Sequence, residues 1–159
     1  EYLVLESLSP RPDHVTGVCV LPVLDGRFLL INSYRHAVAA HLWETPRGFM
    51  DDGETAAQAA RRELLEETGL TCAEDDLIPL GFYAPEPSTM AARGGMFVAR
   101  NCIGTLRGAD DEIGAGELRL FGEDEMARMI ADGGIEDAGT LISYYRYRAL
   151  LAGQGPQRA

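Results

Sequence analysis

Glu63, Glu66 and Glu67 stand three and four residues apart in a stretch with helical apolar spacing. At about 100° per residue, positions i, i+3 and i+4 share a face, so the three carboxylates project together beside an apolar stripe of Ala57, Ala60 and Leu64. A solvated face is the ordinary explanation of such a charge run. Here, however, Glu63 and Glu67 are like charges at i, i+4, a placement that costs roughly 0.2–0.5 kcal/mol in an isolated helix. Arg62 reaches Glu66 at i+4, and nothing else on that face neutralises the other two. A hard divalent cation would. Mg²⁺ takes oxygen ligands, keeps part of its water shell and bridges carboxylates to substrate phosphates. Ten of the 25 carboxylates fall between Glu44 and Asp76, so the acid is concentrated where such an ion would sit.

The elements that must position this helix are legible in the pattern. Val15 to Leu24 and Arg27 to Tyr34 are β-rich runs joined by Asp25-Gly26, the dipeptide suited to a type I′ hairpin. A looser stretch from Arg35 to Trp43 passes through Glu44, Thr45 and Pro46 into a Gly- and Asp-rich loop, Gly48 to Gly53. That loop introduces the helix, expected from Glu54 to Thr68, with Gly69 as its C-terminal cap. Tyr2 to Leu8 alternates as an opening strand, and residues 9–13 break it. Further strands are expected over Leu77 to Tyr83, Met96 to Cys102 and Glu117 to Phe121, with a loop from Ala84 to Gly94. Helical spacing returns at Glu123 to Asp132 and Asp137 to Leu151. Strands without a regular βαβ rhythm predict an α/β domain, a mixed sheet between helices. Residues 1–159 read as one domain of ordinary composition, with 153–159 a frayed tail.

Composition removes several function classes. A formal net charge of −11 argues against nucleic acid as partner, because phosphate backbones need clustered cations. No apolar run approaches the ~20 residues of a membrane span, and no secretory signal is visible, so a cytoplasmic protein is expected. Cys19, Cys72 and Cys102 are widely spaced in the chain, and the three histidines are unclustered, so neither a zinc site nor a disulfide framework is expected.

Gly48, Glu54, Arg62-Glu63-Leu64, Glu66-Glu67 and Gly69-Leu70 match the Nudix hydrolase box at all nine specified positions over 23 residues. The chain therefore resembles the Nudix hydrolases. The resemblance implies an α/β/α sandwich with a mixed sheet, a loop-helix-loop catalytic box, and hydrolysis of a nucleoside diphosphate linked to another moiety. It also implies roles. Glu63 and Glu67 look like principal metal ligands, with Glu66 a further one, directly or through water, on two or more Mg²⁺ ions, or Mn²⁺. Glu54 resembles the glutamate that supports the helix and metal shell, Arg62 the arginine that orients the cluster, and Gly48 the glycine that lets the loop approach. The backbone carbonyl of Arg47 would reach a metal, although many relatives carry a small residue there.

Softer cues resemble the ADP-ribose pyrophosphatase branch: Tyr34-Arg35, the Trp43 to Pro46 approach, Pro85, and Ile135 to Ala138 before the last helix. They imply substrate contacts from Arg35, Trp43, Glu44 and Pro85. A Gly-rich loop with an acidic residue often follows that proline, whereas here Glu86, Pro87, Ser88, Thr89 and Met90 follow. Either Glu86 substitutes or the substrate differs from ADP-ribose. In this branch the general base resembles a loop glutamate, which Glu112 matches, with Asp110 and Asp111 as rivals one register step away. An ADP-ribose-like substrate would give a nucleoside monophosphate and a sugar phosphate. GDP-mannose, NADH or a dinucleoside polyphosphate are alternatives on the same box, as is a module that binds a nucleotide without turning it over. The resemblance also implies a homodimer with the 1–13 region at its interface.

Overall fold

A computed structural model describes residues 2–108 and 116–153. Strand β1 (Val15–Leu24) runs into β2 (Arg27–Arg35) through the expected hairpin, and both turn residues take left-handed backbone, Asp25 at φ 48° and Gly26 at φ 73°. That is the geometry a type I′ turn demands. Nothing lies within 4 Å of a Cβ built at Gly26, so an alanine there would meet only backbone strain. Gly26→Ala is expected to lower the unfolding free energy by about 1 kcal/mol, a left-handed penalty, with activity unchanged. Urea unfolding monitored by circular dichroism checks it.

The chain continues through β3 (Ala40–Glu44), β4 (Arg47–Phe49), α1 (Ala56–Thr68), β5 (Leu70–Thr71), β6 (Leu77–Tyr83), β7 (Arg93–Ala99), β8 (Ile103–Gly104), β9 (Leu118–Phe121), α2 (Glu123–Ala131) and α3 (Ala138–Leu151). The main sheet runs β3-β2-β1-β7-β6, with β4 on β1 and β9 on β2. Among the described strands of this sheet only β1 and β7 pair in parallel, so the sheet is mixed. β1 meets β2 only at Val23 and Leu24, while its earlier residues Gly17 to Cys19 pair with β4. Two strands therefore share one edge of β1, and β4 is brought to the middle of the sheet.

Period-2 alternation divides the core. Cys19, Leu21, Phe28 and Leu30 point to one side, where they meet Met126, Tyr144 and Tyr147 of α2 and α3. Val18, Val20 and Leu29 point to the other, against Ala59, Ala60 and Leu64 of α1. The result is the expected α/β/α sandwich.

Several expectations are corrected: the looser stretch over 35–43 holds the end of β2 and most of β3, and β4 takes the first two residues of the Gly48 to Gly53 loop. Tyr2 to Leu8 is not a strand: it makes one bridge, Leu5 to Met90, and leaves Tyr2, Leu3 and Leu8 exposed. Strand β7 begins at Arg93 and ends at Ala99, not Met96 to Cys102: it pairs with β6 from Gly94, opposite Tyr83, to Ala99, opposite Leu77, and a Cβ at Gly94 would overlap the Tyr83 ring. Glu54 precedes α1, whose cap is Thr55. The antiparallel β5–β8 pair brings Cys72 and Cys102, far apart in sequence, close together, and Cys102 draws the Cys72 thiol down against the opposing effect of burial. All three thiols are free. No helix among the described residues is long and apolar enough to cross a membrane.

Candidate active site

Helix α1 is pinned at both ends. Thr55 and Gln58 form a reciprocal capping box, with Gln58 N–H donating to Thr55 Oγ1 at 3.3 Å and Thr55 N–H to Gln58 Oε1 at 2.9 Å. At the other end Gly69, at φ 73°, returns its N–H to the Leu65 carbonyl. The helix is thereby held with Glu63 and Glu67 turned towards β4, and each is only 8% exposed. Arg47 N–H donates to Glu67 Oε2 at 2.7 Å. The Glu63 carboxylate lies directly over Gly48, where a Cβ would overlap it. Glycine is required at 48 because its missing side chain is the space this carboxylate occupies.

Arg62 gathers the remaining acid. It donates through Nε and Nη2 to the two oxygens of Glu54 at 3.0 Å each, through Nη1 to Glu63 at 2.6 Å and Glu66 at 3.0 Å, and through Nη2 to the Phe49 carbonyl at 2.8 Å. Asp51 stands 3.5 Å from its Nε. The Arg62 hydrogen bonds to Glu54 hold that carboxyl below the usual range, and the same contacts raise the guanidinium. Glu63 thus has a cation beside it, and Glu67 a backbone donor, both supplied from positions that a view confined to one helix face misses. One guanidinium against Glu54, Glu63, Glu66 and Asp51 still leaves a surplus of negative charge.

A second ionic group lies across β4. Arg35 forks onto Glu44, with Nε at 3.1 and 2.9 Å from its two oxygens and Nη2 at 2.5 Å. Glu44 is buried, and it also faces Arg47 Nε at 3.4 Å. Arg47 Nη2 pairs with Asp137. Asp137 caps α3 by accepting from Thr140 N–H and Oγ1, both at 2.7 Å. Burial raises the Asp137 carboxyl, but Arg47 and Thr140 outweigh it and the net shift is downward. Arg47 is correspondingly held charged, since Asp137 and Glu44 overcome its desolvation.

These groups border a cleft of about 390 Å³ lined by Arg35, Arg47, Phe49, Tyr83, Pro85 and Arg93. Burial pushes the Tyr83 phenol up to about 12. A wider hollow of about 590 Å³ beside Ser9 to Asp13 and Asp52 touches none of the box glutamates on α1. The smaller cleft joins Arg35, Arg47 and Arg93 to the Gly48 loop.

The residues predicted from sequence divide in three. Glu54, Arg62, Glu63, Glu66, Glu67 and Arg47 come together, with Arg35, Glu44 and Pro85 at the adjoining cleft. Trp43 and Glu86 stand apart. Trp43 packs edge-on to Phe121, with ring centroids 5.0 Å apart, and lies half-buried against the core. Glu86 is fully exposed and folds onto its own loop, accepting from Ser88 N–H at 3.1 Å and from the Ser88 hydroxyl. Glu112, with Asp110 and Asp111, lies outside the described residues. Sequence reasoning missed Asp137, Tyr83, Phe49 and Arg93 as site residues. For Asp137 the signal was present, in the Ile135 to Ala138 run.

A divalent cation suits these donors. Glu63 and Glu67 offer hard oxygens on consecutive turns of one helix, and Gly48 keeps side chains out of the space between helix and loop. Among the described residues no three Asp, Glu, His or Cys side chains are grouped so as to hold a metal ion. Mg²⁺ can bind through only one or two carboxylates and fill its octahedron with water and phosphate oxygens.

Sandwich, box helix and acidic loop together define a phosphohydrolase site of the Nudix class, and comparison with known proteins bears this out. The sequence model of the NUDIX domain matches residues 13–134. The chain belongs to the Nudix hydrolase family. It is 26% identical over 145 residues to an ADP compounds hydrolase, NudE, of Escherichia coli, covering 91% of this chain and 76% of that protein. RNA pyrophosphohydrolases match over shorter stretches: that of Bartonella bacilliformis at 49% identity over 28% of this chain, and that of Brucella ovis at 46% over 42%. Those stretches span only 26% and 38% of the two relatives. In the fold, a crystal structure of an ADP compounds hydrolase superposes with a TM-score of 0.76 at 24% identity, over 87% of this chain and 74% of that one. A Nudix hydrolase from Nitrosomonas europaea gives 0.62 at 21%, over 91% and 97%. Pyrophosphohydrolase activity on nucleoside diphosphate compounds follows from this membership.

Proposed function

We propose that the protein is a Mg²⁺-dependent pyrophosphatase of an ADP-ribose-like nucleoside diphosphate sugar, releasing a nucleoside monophosphate and a sugar phosphate. The observation that carries it is the convergence of Glu63 and Glu67 on the Gly48 loop, beside a cleft edged by Arg35, Arg47 and Arg93. An acidic cation site next to a basic wall suits a substrate with a diphosphate between two organic groups. Diphosphate cleavage is mostly positioning and charge stabilisation, with little covalent work for the protein. A bound divalent cation would supply charge neutralisation on the phosphoryl oxygens and activation of the attacking water.

The chain's own residues supply the rest. Glu63, Glu67 and Glu66 hold the cations, two or more Mg²⁺ or Mn²⁺. Glu54 and Arg62 keep those carboxylates in place, the Arg47 carbonyl adds an oxygen donor, and Glu112, with Asp110 and Asp111 as rivals, takes the proton from water. Arg35 and Pro85 shape the substrate cleft, with Glu44 underneath orienting Arg35. The likeness to an ADP compounds hydrolase over 91% of the chain supports an ADP-containing substrate, and the net charge of −11 supports a small nucleotide over a nucleic acid. Residues 1–159 form one Nudix domain in this reading. It acts in the cytoplasm, in keeping with three free thiols, and as a homodimer, in keeping with the exposed apolar side chains of Tyr2, Leu3 and Leu8.

The test is incubation with ADP-ribose and Mg²⁺, followed by chromatography for AMP and ribose phosphate. AMP is expected with ADP-ribose at a higher kcat/KM than with GDP-mannose, NADH or a dinucleoside polyphosphate. Preference for one of those would move the substrate and keep the box. Tight nucleotide binding without product in Mg²⁺ or Mn²⁺ would leave a binding module instead.

A further inference from the structure

Strand β4 has only three residues, yet it carries the loop that meets both buried glutamates. Its pairing with β1 spans Gly17 to Cys19 and fixes one edge. The other hold comes from the first turn of α3, about 90 residues later in the chain. Thr140 Oγ1 accepts from Thr45 N–H at 2.9 Å, just before β4, and Asp137 pairs with the Arg47 guanidinium. Arg47 in turn gives its main-chain N–H to Glu67 at 2.7 Å. Helix α3 therefore grips the approach to the carboxylate loop at two points, and the second is one residue away from Glu67.

We propose that Asp137 is a positioning residue for Glu67: by holding the Arg47 guanidinium it keeps the Arg47 N–H against the Glu67 carboxylate and so sets the geometry of the cation site. This rests on the reading of Glu67 as a cation ligand. Glu44 assists from the opposite side, but it is already shared with Arg35, so it cannot replace Asp137. Groups that orient a ligand without touching the metal change metal affinity by about 10- to 100-fold when removed.

Asp137→Asn separates this role from helix capping, because asparagine caps an N-terminus as well as aspartate does but carries no charge for Arg47. Mn²⁺ binding, followed by electron paramagnetic resonance, is measured on the whole protein beside kcat, KM and thermal unfolding. The variant is expected to bind Mn²⁺ about tenfold more weakly and to lose about tenfold in kcat, with KM little changed. Arg47→Lys, which cannot keep both Glu44 and Asp137, is expected to behave alike. Tyr147→Leu loosens α3 against Phe28 without touching this chain of contacts and is the control for a general loss of stability. Wild-type Mn²⁺ affinity and kcat in Asp137→Asn would overturn the proposal, as would an equal loss of Mn²⁺ affinity in Tyr147→Leu. If the wild-type protein binds no Mn²⁺, the cation reading itself fails and this role falls with it. Wild-type binding that Glu67→Gln abolishes and Asp137→Asn leaves intact would sink the Asp137 role alone.

Discussion

Glu67→Gln is expected to lower kcat by about 100- to 1,000-fold, the range for removal of one preorganised electrostatic group from a reaction centre. The substitution preserves shape. The amide oxygen can still accept from Arg47 N–H, which meets Oε2 at 2.7 Å in the present arrangement, so the loop has no cause to move. What disappears is the charge, in a position only 8% exposed, where solvent screening is weak. Stability should change little or rise slightly, because a like-charge pair with Glu63 at i, i+4 is removed, worth roughly 0.2–0.5 kcal/mol. Loss of activity with an unchanged thermal midpoint is therefore the expected pattern. Turnover of the nucleoside diphosphate substrate at the wild-type rate would exclude Glu67 from the cation site.

The box and the fold were legible for one reason, locality. Asp25-Gly26 dictates its turn from two residues, and the alternation of Val18 to Leu21 divides the core without knowledge of what packs there. The C-terminal cap of α1 is Gly69, the residue directly after the helix. Features set by distant partners were not legible. On the helix wheel Glu63 and Glu67 look unneutralised, yet Arg62 folds back onto Glu63 and Glu67 accepts from a backbone N–H twenty residues earlier. Side-chain charges predict nothing about a main-chain donor. Arg47 looked like an odd residue beside a glycine, and its reason, Asp137, lies 90 positions away. Trp43 shows the same limit from the other direction. Its type suits a substrate platform or a core, and the contact that turns one face of it to the core comes from Phe121 of β9, far along the chain.

Gly48→Ala carries the other large effect, by a different route. Gly48 is not among the residues with left-handed backbone, so alanine brings no conformational strain there. The obstacle is space: the new Cβ would lie within 2.5 Å of Glu63 Oε2, and nearer still to the other two carboxylate atoms. The intruded group is the end of a flexible side chain, so the fold can relieve the overlap cheaply by swinging the carboxylate aside. The same swing takes Glu63 from its place above the loop and disturbs the Arg62 contact at 2.6 Å. A displacement of about 1 Å at a reaction centre can cost around 100-fold in rate, and a loss of that order in kcat is expected. Thermal unfolding should show a minor shift beside it. The reverse pattern, a badly destabilised protein whose folded fraction turns over normally, would mean that Gly48 serves the packing of β4 alone. A crystal structure of Gly48→Ala then provides the direct check, because Glu63 must have left the position over residue 48 for this account to hold.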